Sequence, residues 1–99
     1  MSMHQIYDDI SKELKLRLGD DYNYVCDSAK YDEVVITIFK RLRKDSGRQK
    51  YVVMIIINDA EVIVSRSQTT IEAHIQLGDP ELFDKIIHNV VLADSLTKN

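Results

Sequence analysis

The chain has 99 residues, of which 44% are apolar and 29% charged, with a net charge of −3 and a single cysteine. These figures exclude a disordered chain, a disulfide scaffold and a generally cationic nucleic-acid binder. They describe one globular domain, residues 1–99, long enough to bury a core. Cys26 alone cannot form an intrachain disulfide, which predicts a reducing, cytoplasmic setting. Asp8 and Asp9 stand where the apolar segment of a signal peptide would lie, and no apolar run reaches the length of a membrane span.

The charge is unevenly spread. Residues 40–50 carry Lys40, Arg41, Arg43, Lys44, Arg48 and Lys50 against Asp45, a local charge of +5, leaving −8 on the other 88 residues. Asp20, Asp21, Asp27, Asp32 and Glu33 form an acidic counterpart. Such asymmetry steers partners of either sign.

The first predicted element is a helix over residues 3–18. Met3, Ile6, Tyr7, Ile10, Leu14 and Leu18 recur at the spacing of one helical face. Ser2 is placed to cap it, the late Lys15 and Arg17 suit its dipole, and Gly19 suits a left-handed stop. Leu16 falls off the apolar stripe. A short strand over residues 22–26 follows, then a turn-like Asp27-Ser28-Ala29-Lys30. Residues 33–43 predict a long strand, with Val34, Ile36, Ile38, Lys40 and Leu42 on one face and Val35, Thr37, Phe39, Arg41 and Arg43 on the other.

Lys44-Asp45-Ser46-Gly47-Arg48 predicts a hairpin loop. It leads through Lys50 into Tyr51-Val52-Val53-Met54-Ile55-Ile56-Ile57, a run of seven apolar residues suited to a central strand. Asn58-Asp59-Ala60 is a second turn, residues 61–65 a fourth strand and residues 65–68 a loop. Residues 70–77 alternate as a half-exposed strand. Asp79 as N-cap, Pro80 and Glu81 then open a helix whose apolar face is Leu82, Phe83, Ile86, Ile87, Val90 and Val91, with a frayed tail from Asp94.

The order α-β-β-β-β-β-α predicts an α+β fold, an antiparallel meander of about five strands flanked by an N-terminal and a C-terminal helix. A strand apolar on both faces needs cover on both. Either the two helices split between the faces, or they share one and a second chain covers the other. The second arrangement is favoured, and strict alternation assigns Val35, Thr37, Phe39, Val52, Met54 and Ile56 to the face of a symmetric homodimer.

The basic hairpin is the other candidate site. Lys40, Arg41, Arg43, Lys44, Arg48 and Lys50 on a two-stranded ribbon have the chemistry to contact phosphates or an acidic protein surface, or simply keep a hairpin soluble. Glu72 with His74, and Asp84 with His88, are same-face pairs, too few for an ordinary metal site. Cys26 has no histidine placed beside it by sequence and suits a small buried role. Tyr22, Tyr24 and Tyr31 suit either strands or a protein contact. No phosphate loop, catalytic triad spacing, metal motif or cofactor motif is present. A short, cysteine-poor α+β chain of this kind fits the genre of viral or phage accessory proteins. The expected function is non-enzymatic binding or assembly through a homodimer, with another protein as a further partner and no membrane. The alternative is nucleic-acid binding by residues 40–50.

Overall fold

The computed structural model describes residues 3–30, 33–42, 47–66 and 72–96. Helix α1 (Met3–Leu18) leads to strands β1 (Tyr22–Lys30), β2 (Glu33–Arg41), β3 (Gln49–Asn58), β4 (Glu61–Ser65) and β5 (Glu72–Gln76), and helix α2 (Leu82–Leu96) closes the chain. The strands form one antiparallel sheet in the order β1-β2-β3-β4-β5. This is the α+β meander that the apolar patterning predicts. No helix among the described residues is long and apolar enough to cross a membrane.

Local chemistry sets the boundaries. Gly19 takes φ +79° and its N–H donates to Lys15 O at 3.1 Å, closing α1 as a left-handed cap. Asn58 Oδ1 accepts from the N–H groups of Ala60 and Glu61, both at 2.8 Å, and so builds the β3–β4 turn. Asp79 Oδ1 accepts from Glu81 N–H at 2.8 Å just ahead of α2. Leu42 N–H donates to Arg48 O at 3.0 Å across the base of the β2–β3 hairpin, while Arg43, Lys44, Asp45 and Ser46 lie outside the described residues. Thr70 and Ile71 of the fifth predicted strand, Ser67 and Gln68 of the preceding loop, and Tyr31 also lie outside them.

Three expectations need correction. The segment Asp27–Lys30 is strand: β1 runs on to Lys30, and a register shift between Cys26 and Ser28 makes Asp27 an extra residue. The small polar residues that suggested a turn mark a bulge, where one strand carries one residue more than its partner. Val91 is 49% exposed and does not belong to the buried face of α2, which is Ile86, Val90 and Ala93. The tail from Asp94 is helix as far as Leu96, and Asp94 is held to the sheet by ion pairs with Lys40 and Lys50. Leu16, off the α1 stripe, is 80% exposed.

Both helices pack on the same face of the sheet, α1 over β1–β3 and α2 over β3–β5. Ile6, Ile10 and Leu14 of α1 and Ile86, Val90 and Ala93 of α2 enclose Val34, Ile36, Ile38, Val53, Ile55, Ile57, Val62, Val64 and Ile75. Burying an aliphatic side chain of this size stabilises by about 1.5–3 kcal/mol, so this layer supplies most of the driving force for folding.

Candidate functional site

With both helices on one side, the second face of the sheet carries no element of its own among the described residues. Register places its side chains in rows. Val35, Ile56, Ile63 and His74 stand opposite one another across β2 to β5. Val25, Thr37, Met54, Ser65 and Glu72 form the next row, across all five strands. Phe39 faces Tyr51, with ring centroids 6.2 Å apart in an edge arrangement. Valine, isoleucine, methionine and aromatic side chains therefore occupy the middle of this face. All are half-buried by their strand neighbours except Val25, which is 39% exposed.

Val52 does not join them. The register runs Ile38 to Val53 and then Phe39 to Tyr51, so Val52 is an extra residue in β3. Val52 and Val53 are both fully buried. The bulge reverses the alternation of β3 beyond it. Tyr51 comes onto the open face beside Phe39, and Lys50 turns towards the helices beside Lys40. Strict alternation had assigned Val52 to the open face with Met54 and Ile56. Sequence reading also missed Ile63, whose only signal was its place in the middle of a five-residue strand.

The backbone opened by the bulge is answered by a side chain. Arg66, just past β4, donates from Nη1 to Tyr51 O at 2.8 Å and to Val52 O, and its guanidinium lies 5.0 Å from the Tyr51 ring centre. β4 ends opposite Met54 and so does not reach these carbonyls.

The rim of the open face is polar. His74 Nδ1 lies 3.1 Å from Glu61 Oε1, and Nε2 lies 3.9 Å from Glu72 Oε1. No group of three metal-ligating side chains occurs among the described residues. Asp84 and His88 are both exposed on α2. Cys26 lies in β1 opposite Ile36.

The basic segment divides. Lys40 Nζ donates to Asp94 Oδ2 at 2.9 Å, and Lys50 Nζ lies 3.2 Å from Asp94 Oδ1 as an ion pair. Tyr22 Oη donates to Oδ2 at 2.7 Å, and Lys40 Nζ sits 5.5 Å from the Tyr22 ring centre. Burial of Asp94 acts to raise its pKa, but hydrogen bonds from Lys40, Tyr22 and Lys50 outweigh it and hold the carboxyl below its ordinary value. Burial and the Asp94 hydrogen bond push the Tyr22 hydroxyl well up. Two of the six cations read as phosphate contacts thus serve to fasten α2 to the sheet. Arg41 and Arg48 are exposed, and Arg43 and Lys44 lie outside the described residues.

No family model, curated protein or solved structure matches this chain.

Proposed function

We propose that this protein is a self-associating binding module, acting without catalysis, whose open sheet face docks on the same face of a second copy. The observation that carries this reading is the placement of both helices on one side of a sheet that is apolar on both sides.

The face has the anatomy of an interface. Val35, Phe39, Met54, Ile56 and Ile63 form an apolar middle, and Glu61, Glu72, His74 and Arg66 lie around it. Five strands spaced about 4.8 Å apart, with central strands nearly 30 Å long, offer on the order of 600 Å2, close to the ~800 Å2 per partner of a standard stable interface. A face of this size with an apolar middle lies at the upper end of what lone chains expose, and such patches often mark interaction sites. Two copies related by a two-fold axis would cover it with one self-complementary surface.

The reading is tested by molar mass in solution from light scattering. At tens of micromolar the wild type should weigh twice the 11.4 kDa of one chain. Met54→Asp should yield a folded monomer. A wild type that stays monomeric sinks the proposal.

The alternative, nucleic-acid binding by the hairpin, is weakened by the use of Lys40 and Lys50 in the Asp94 cluster. It would rest on Arg41, Arg43, Lys44 and Arg48. Binding to duplex DNA or RNA that falls steeply with salt, and is lost when those four are neutralised, would favour it over self-association.

A further inference from the structure

We propose that a pocket on the helix-bearing side of the molecule binds a small organic ammonium ion with an apolar tail. The pocket lies where α1, the β3–β4 turn and the start of α2 meet, and it has a volume of about 490 Å3. That is within the roughly 300–1,000 Å3 typical of small-molecule sites. Ile6, Leu77, Leu82 and Phe83 give it an apolar lining, and Asp9 and Asp59 add two acidic residues to its wall.

Charge selects the ligand. None of the residues lining the pocket is a lysine, arginine or histidine. A third carboxylate, Asp79, is already committed: it accepts from Glu81 N–H and pairs with Lys85. Asp9 and Asp59 have no hydrogen-bond or ion-pair partner among the described residues. Two uncompensated carboxylates beside an apolar lining favour a cation that carries its own apolar surface, and disfavour an anion of the same shape.

The walls are built in advance. Leu77 N–H donates to Ala60 O at 3.3 Å and ties the end of β5 to the β3–β4 turn. Asn58 holds that turn through two hydrogen bonds, and Asp79 N–H donates to Gln76 O at 3.0 Å beneath Pro80. A ligand entering a held pocket loses little free energy to ordering its walls.

The test uses three six-carbon probes, hexylammonium, hexanol and hexanoate, added to the full chain, with the methyl resonances of Ile6, Leu77 and Leu82 as readout. Hexylammonium should give saturable shifts and bind at least about threefold more tightly than either other probe, a margin that salt should narrow. Asp9→Asn combined with Asp59→Asn should abolish that margin. Should the double variant unfold, each single substitution should reduce it. Equal binding of hexanol would overturn the proposal by making the pocket indifferent to charge, and so would shifts that never saturate. The pocket is not part of the open sheet face, so a monomeric wild type would leave this test intact.

Discussion

Lys50 Nζ lies 3.2 Å from Asp94 Oδ1 because Val52 is an extra residue in β3. Without the bulge, Lys50 would point to the open face, away from α2. The bulge therefore does two things at once. It delivers a second ammonium to the Asp94 carboxylate near the end of α2, and it brings Tyr51 to Phe39 on the other side.

Replacement of Asp94 by asparagine should lower stability by about 2 kcal/mol, the scale of a partly buried hydrogen bond to a charged group. The check is chemical denaturation with a double-mutant cycle. Lys50→Met should cost clearly less in the Asp94→Asn background than in the wild type, since the two residues share one interaction. Additive losses would contradict the pairing.

Acid should act through the same residue. Asp94 has its folded-state pKa below the ordinary 3.8, so the unfolded chain takes up the proton more readily. Its contribution to stability is complete above that ordinary value and disappears as pH falls through the depressed one. The stability difference between wild type and Asp94→Asn should therefore hold steady from neutrality to about pH 5 and shrink below about pH 4. Alkali has the opposite sign. Burial, then the charge of Asp20, push Tyr24 up to about 12, and its hydroxyl donates to Leu14 O at 3.1 Å. The contribution of Tyr24 should persist to about pH 10 and decay above it, and Tyr24→Phe should be less sensitive in that range.

Ile55 and Ile56 are neighbours on opposite faces of β3 and separate folding from the proposed self-association. Ile55 is fully buried beneath the helices, and aspartate there should cost about 4 kcal/mol or more and abolish folding. Aspartate at Ile56 should leave the far-ultraviolet circular dichroism intact and halve the mass. A folded dimer carrying Ile56→Asp would move the interface elsewhere.

Gly19 offers a purely conformational test. Its φ is +79°, and a Cβ built there meets nothing within 4 Å. Gly19→Ala should cost about 1 kcal/mol from backbone strain alone and lower the melting temperature by about 5 °C. Loss of association in this variant would not follow, because Gly19 lies at the end of α1.

Much of the fold was legible from local pattern. The spacing of Ile6, Ile10 and Leu14, the Gly19 stop, the Asn58-Asp59-Ala60 turn and the Asp79 cap each depend on residues within a few positions of one another. Helical and strand periods are local quantities, so a single chain displays them. The even alternation of β2 placed Val35, Thr37 and Phe39 correctly on one face for the same reason.

What the sequence could not contain was the count of residues across a strand pair. A bulge exists only relative to a partner, so nothing in Tyr51–Ile57 by itself marks Val52 as the extra residue, and strict alternation put it on the open face. Asp94 was invisible for a related reason. Its partners Tyr22, Lys40 and Lys50 are distant in the chain, and only closure of the sheet under α2 brings them to one carboxylate. The choice of one face for both helices was likewise a tertiary decision, because two amphipathic helices and a two-sided apolar strand are compatible with either arrangement. Sequence alone determined that the central strand is apolar on both faces. Packing placed both helices on one of those faces, where their stripes bury against one contiguous layer of largely β-branched side chains.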